Sequence, residues 1–235
     1  MADRRTYRRE PEEKRREALI AAAQELVAEG GPKAATVRAI AERAGVTAGL
    51  IGHYFSTKDE LSQAAYRALM DQMTDFGAHL LDGAPADPVS RLAIFVAASL
   101  RPPVVDGKAV GLWAGFIHQV RSDPALRTVH EASYLRFRDT LQALIADLPR
   151  DADAARLRRE AIASNAVIDG LWLEGSVLPE MFSPGELEQI GLTSVGAILG
   201  VDLAAAMAAL PTGVPGTIAA PAIVQRLADT VKDSA

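Results

Sequence analysis

The feature that most constrains this chain is its punctuation: helix-period apolar stripes separated by Gly, Pro and capping residues, with no alternating stretch that reads as a strand. Leu19, Ile20, Ala23, Leu26 and Val27 form one stripe, which predicts a helix from about Glu12 to Glu29 ended by Gly30-Gly31-Pro32. Thr36 is placed to cap a short second helix through Ala44. Gly45 makes a turn, and Thr47 caps a third helix to about Tyr54. Thr57-Lys58-Asp59-Glu60 is a capping box opening a long helix that ends near Gly83. Further helices are expected from Asp87-Pro88 to Pro102-Pro103, Gly107 to Arg121, Pro124 to Leu148, Asp153 to Leu178, and Ser183 to Leu199, where Ser183 and Glu186 form a second box. The expected fold is all-α.

Composition agrees. Among 235 residues, 44 are Ala and only 12 are aromatic, which favours helices over a β-sandwich. The absence of cysteine removes disulfides, zinc-thiolate sites and cysteine nucleophiles. No apolar run reaches the roughly 18 residues of a membrane span, and the N-terminus is charged rather than signal-like, so a cytoplasmic protein without a membrane partner is expected. The net charge of −5 argues at first against nucleic acid, but it is unevenly spread: residues 1–60 hold 11 basic and 10 acidic groups, residues 61–235 hold 14 and 20. Phosphate contacts are local, so a near-neutral segment with aimed donors suffices.

Such a segment is Thr36 to Leu61. Two helices too short to stand alone are joined by a glycine turn and braced on both sides, the pattern of a helix-turn-helix whose second helix enters the major groove. Thr47, Ala48 and Gly49 form a small leading face. His53 and Tyr54 offer polar tips, Lys58 joins a cation to open backbone N–H groups, and Arg38 lies in reach of a phosphate.

The run T-x-x-x-I-A-x-x-A-G-V-T-x-G-x-I-x-x-Y-F-x-x-K-x-x-L, Thr36 through Leu61, resembles the TetR family of bacterial transcriptional regulators. Val167-Ile168-Asp169-Gly170-Leu171-Trp172-Leu173 resembles the choline-responsive, BetI-like branch. The resemblance implies an all-helical homodimeric repressor. It has a three-helix DNA-binding domain over residues 12–62 (helix-turn-helix 36–55) and a helical effector-binding and dimerisation domain over 63–200. From their own composition, residues 1–11 are expected to form a flexible basic arm, and 201–235 are expected to be an extension that supplies a docking helix or a tail. The implied partners are a palindromic double-stranded operator and a small-molecule effector, with no cofactor or metal. The implied DNA contacts are Thr36, Arg38, Thr47, Ala48, Gly49, His53, Tyr54 and Lys58, with Leu50, Ile51 and Phe55 packing the unit.

Asn165, Asp169 and Trp172 share one helix face, an amide, a carboxylate and an indole suited to a cationic or hydrogen-bonding ligand. Trp113, Phe116, Ile117, Tyr134 and Phe137 are the expected remainder of a pocket. The competing assignment pairs Asp169 with Arg136 or Arg138 inside an aromatic core. A quaternary ammonium needs several ring faces, and two Trp and four Tyr serve the whole chain. Ala163, Ala166, Gly170 and Gly175, with Gly191 and Gly196, are the expected small residues of a dimer face. An enzyme is not expected: His53, His79, His118 and His130 form no metal motif, and no nucleophile elbow or phosphate loop occurs. A second reading keeps DNA binding but places control with protein partners instead of an effector.

Overall fold

The computed structural model describes residues 12–211, and every regular element among them is helical. The elements are α1 (Glu12–Gly30), α2 (Val37–Arg43), α3 (Ala48–Tyr54), α4 (Lys58–Leu80), α5 (Pro88–Ser99), α6 (Gly107–Val120), α7 (Pro124–Ala146), α8 (Ala154–Val177), α9 (Glu186–Leu199) and α10 (Leu203–Ala208), with a 3-10 turn at Pro179–Met181. The expected arm at 1–11 and the helical pattern around Ile223 to Val231 lie outside the described residues.

Aspartate starts most of the later helices. Asp87 accepts from the Ser90 N–H, Asp106 from Ala109, Asp123 from Ala125 and Leu126, Asp153 from Arg156, and Asp202 from Ala205, at 2.6–3.2 Å. Each carboxylate satisfies a first-turn donor and sits at the positive end of the helix dipole. The Thr57 box forms: Thr57 Oγ1 accepts from the Glu60 N–H at 3.0 Å, while Glu60 reaches back one residue further than expected, to the Ser56 N–H at 2.7 Å. At α9 only half the expected box exists. Glu186 accepts from the Ser183 N–H, but the N-cap is Gly185, with φ +80 and no side chain to donate or accept.

The chain divides into two packing units. One takes the residues through Leu69 together with Gly111–Val129; the other takes Met70–Val110 and the residues from His130 on. The division of the sequence at residue 62 therefore differs from the packing, because most of α6 and the start of α7 join the N-terminal unit. Glycines permit it: a Cβ on Gly115 would stand 2.8 Å from Val27 Cγ1 of α1. Within this unit Leu19, Leu26 and Val27 pack with Ile40, Ile51, Phe55, Leu61 and Phe116 buried. Two polar clamps bind α1 to its neighbours. Arg43 pairs with Glu25 and Glu29 at 2.8–3.0 Å, and Gln24 Nε2 donates to the Ala65 carbonyl at 2.9 Å.

In the second unit α5 is the central element. All eight residues from Leu92 to Ser99 are buried, as an all-round apolar helix requires. It packs against α8, α9 and α10, and α8 packs along α9. Gly191 admits Leu100, Gly175 admits Leu187, and Gly196 lies against the Val201 carbonyl. These three glycines are consumed inside the chain, which corrects the expectation that they lie on a dimer face. Ala163, Ala166 and Gly170 remain exposed.

Glu160, nearly buried, is held by Arg150 and by Arg156, the latter at 2.8 Å. Hydrogen bonding to Arg150 is the main cause that holds its carboxyl at about 2, against the opposing effect of burial and with further help from Arg156. A lowered folded pKa stabilises the native state above the ordinary value of 4.5, and this is lost as pH falls toward about 2. Glu160→Gln should lower stability at pH 7 by about 1–3 kcal/mol and flatten the acid dependence in that window. Urea melts at stepped pH check this, and parallel acid profiles for both proteins would contradict it.

Candidate functional site

The helix-turn-helix is built by two local devices. Thr36 caps α2 by accepting from the Ala39 N–H at 3.1 Å, and Gly45, with φ +66, turns the chain so that the Val46 N–H reaches the Ala41 carbonyl at 2.9 Å. Ile51 and Phe55 are buried, fixing which face of α3 points outward. Leu50 is half-buried, consistent with a packing role.

The outward face carries Ala48, Gly49, Gly52 and His53, all exposed, with Tyr54 half-buried and its ring edge-on to His53 at 5.2 Å. Thr47 takes the extended N-cap conformation but makes no side-chain cap bond, contrary to the expectation that it caps α3. Its exposed hydroxyl is therefore not committed to the helix. Lys58 is exposed at the first position of α4, and Arg38 is exposed on α2. These groups surround α3 with donors, while the helix itself is nearly bare. Arg43, by contrast, is neutralised by Glu25 and Glu29, whose hydrogen bonds raise its pKa. Gly52 was not among the expected contacts. Its spacing of three from Gly49 and four from Ala48 marks it as part of the same face.

The expected ligand residues are dispersed between the two units. In the first, Phe116 is buried against Tyr66 at 5.0 Å between ring centroids, and Trp113 and Ile117 are half-buried. In the second, Phe137 packs on Phe95 at 5.1 Å, and Tyr134 is exposed with Arg138 over its ring at 5.9 Å. Trp172 is buried and its indole N–H donates to the Val104 carbonyl at 2.9 Å, a link between segments 68 residues apart. Asn165, also buried, donates to the Asp169 carboxylate at 2.8 Å. Asp169 retains access to solvent, yet the protein crowded around it raises its pKa, partly offset by the Asn165 bond. The alternative partners are engaged elsewhere: Arg136 binds Asp71 at 2.5 Å and Asp75, and Arg138 binds Asp139 at 2.6 Å.

Residues 19–65 match the family model for bacterial regulatory proteins of the tetR family, and residues 88–200 match that for the C-terminal domain of BetI-type transcriptional repressors. The HTH-type transcriptional regulator BetI of Paraburkholderia phytofirmans is 32% identical over 168 residues, covering 72% of this chain and 85% of that protein. A solved transcriptional regulator from Pseudomonas aeruginosa PAO1 is 31% identical with a TM-score of 0.74, covering 84% of this chain and 96% of its own. A transcriptional regulator from Rhodococcus sp. Rha1 is 28% identical with a TM-score of 0.66, covering 79% and 96%.

The bare face makes a prediction of opposite signs. A Cβ at Gly49 or Gly52 would meet nothing within 4 Å. Gly→Ala at either should therefore raise stability by about 0.5–1 kcal/mol through helix propensity. The same methyl should weaken binding to duplex DNA by holding the backbone off the groove. Thermal melts and gel shifts on the same preparations check this; a gain in stability with undiminished DNA affinity would remove the face from the contact surface.

Proposed function

The chain belongs to the TetR family of transcriptional regulators and carries a BetI-type repressor C-terminal domain; from that premise we propose that it works as a homodimer on a palindromic operator and is released by a small-molecule effector. The observation that carries the DNA half of this reading is the α3 face: exposed Ala48, Gly49, Gly52 and His53, flanked by the uncommitted Thr47 hydroxyl and by Lys58 and Arg38. Small residues let the helix lie deep in the major groove, where His53 and Tyr54 read base edges or adjoining phosphates. Thr36, Arg38, Thr47 and Lys58 fix register on the backbone without reading sequence.

Support for a dimer comes from α8 and its continuation. Ala163, Ala166, Gly170, Leu173 and Val177 recur at three- and four-residue spacing and are all exposed, Val177 at 55%. Leu178, Met181 and Ile190 extend this surface, Met181 at 70% exposure. Small residues at one end and large apolar ones at the other form a stripe that two copies bury against each other around a twofold axis. Two recognition helices then meet half-sites about one turn of duplex apart.

For the effector, Asp169 and Asn165 are the supported contacts among the residues expected. They form a hydrogen-bonded carboxylate–amide pair with solvent access, on the helix that also carries the apolar stripe. A ligand with a donor or cationic group would bind there and, beside Gly170, bias the geometry of the dimer. A preference of 1–3 kcal/mol for the non-operator geometry changes operator affinity by roughly 5–150-fold. Trp172, its indole bonded to Val104, supports α8 from the buried side.

Two variants separate the parts of this reading. Tyr54→Ala should weaken binding to a duplex from the region beside its gene about tenfold or more while leaving the mass in solution unchanged. Val177→Asp should halve that mass and abolish tight operator binding together. Gel shift with light scattering checks both. Wild-type affinity in Tyr54→Ala, or a dimeric Val177→Asp, would count against the corresponding assignment.

A further inference from the structure

A cavity of about 300 Å³ opens in the second unit, small for a ligand pocket but within the range for one. Its walls come from the end of α5 and the loop after it, from the last turn of α8, and from the link into α9. None of the eight expected ligand residues lines it. Leu100, Val105, Pro179, Phe182 and Leu187 make part of the lining apolar.

Three polar features meet there. Arg101 is 7% exposed, and its guanidinium lies at Coulombic range of Glu188, which lines the same cavity. Burial lowers the arginine pKa and raises that of Glu188, and each charge opposes the shift of the other. Ser176 is 4% exposed, and its buried hydroxyl has no hydrogen-bond partner among the described residues. Native proteins seldom leave such a group unsatisfied without a reason. Finally, α9 begins beside the cavity on a glycine that supplies no capping side chain, so the N–H groups of Leu187 and Glu188 in its first turn keep their donor capacity toward an acceptor.

A cation, a hydroxyl and a helix N-terminus together favour an anion with several acceptor lone pairs. Glu188 and Asp106, the latter accepting from the Ala109 N–H, both line the cavity, and their carboxylates disfavour a second negative charge on the ligand, which argues against phosphate or sulfate. The apolar wall accommodates a hydrocarbon body. We propose that this cavity binds a small organic monocarboxylate, whose oxygens accept from Arg101, Ser176 and the α9 N-terminus while its apolar part rests on Phe182 and Leu187. The site is separate from Asp169 and does not depend on the operator reading.

The test uses the purified 235-residue protein and 4-fluorobenzoate followed by fluorine NMR. Wild type should broaden and shift its resonance at millimolar or lower concentration. The neutral analogue 4-fluorobenzamide should be unaffected, and inorganic phosphate should not displace the benzoate. Ser176→Ala should weaken binding about tenfold, the effect of one hydrogen bond to a charged group, while the empty protein melts at the same temperature or higher because an unsatisfied hydroxyl is gone. Arg101→Gln should abolish binding. Equal responses to benzoate and benzamide, displacement by phosphate, no response at all, or binding unchanged in Ser176→Ala would overturn the site. Because binding is read directly, a failed gel shift on the same preparation bears only on the operator reading.

Discussion

The second unit depends on one constraint: α5 has no exposed face. A helix apolar on every side must be enclosed on every side, and each buried Leu, Ile, Phe or Val side chain is worth about 1.5–3 kcal/mol. Enclosing eight consecutive residues fixes where α8, α9 and α10 lie, and it explains where the small residues go. Gly191 is needed to seat Leu100 at the end of α5, and Gly77 of α4 lies so close that a Cβ there would stand 3.2 Å from the Phe95 ring. On the other side of α8, Ala163, Ala166 and Gly170 are left exposed.

The first unit solves a different problem. Its helices α2 and α3 have seven residues each and cannot bury a large core. Ile40, Ile51 and Phe55 anchor them, and the Arg43 clamp to two glutamates of α1 fixes orientation. That clamp also shapes the electrostatics, since it pairs the one cation of α2 beyond Arg38 with two carboxylates of α1. The acidic excess lies after residue 60, so a net charge of −5 is compatible with a helix-turn-helix unit carrying Arg38 and Lys58 on its surface.

Features encoded within three or four residues were legible in the sequence. The caps at Asp87, Asp123, Asp153 and Thr36, and the Gly45 turn, specify helix ends through contacts with their own neighbours. Pairings that depend on distant partners were not. Trp172 reaches Val104 across 68 residues, and Arg136 reaches Asp71 across 65. In a chain with many arginines and acids, spacing does not select the pair. The glycines show the same limit. Their size announces close approach, but whether the neighbour belongs to the same chain depends on packing, and Gly175, Gly191 and Gly196 turned out to serve intrachain contacts. Gly111 and Gly115, four apart on α6, carried a readable signal for packing against α1. In the α3 region the packing role expected of Ile51 and Phe55, four residues apart, was legible, and their burial determines which face points outward.

The bareness of α3 has an evolutionary consequence. Ala48, Gly49 and Gly52 contribute almost no side chain to the core, so replacing them leaves the scaffold's packing intact. If this face reads DNA as proposed, sequence preference and foldability are written on separate residues. On the proposed reading, a lineage could exchange these three positions for arginine, asparagine or glutamine and acquire a new base-edge code while inheriting the rest of the fold unchanged. Duplicated copies of such a gene could diverge in the promoters they address before anything else about them changes.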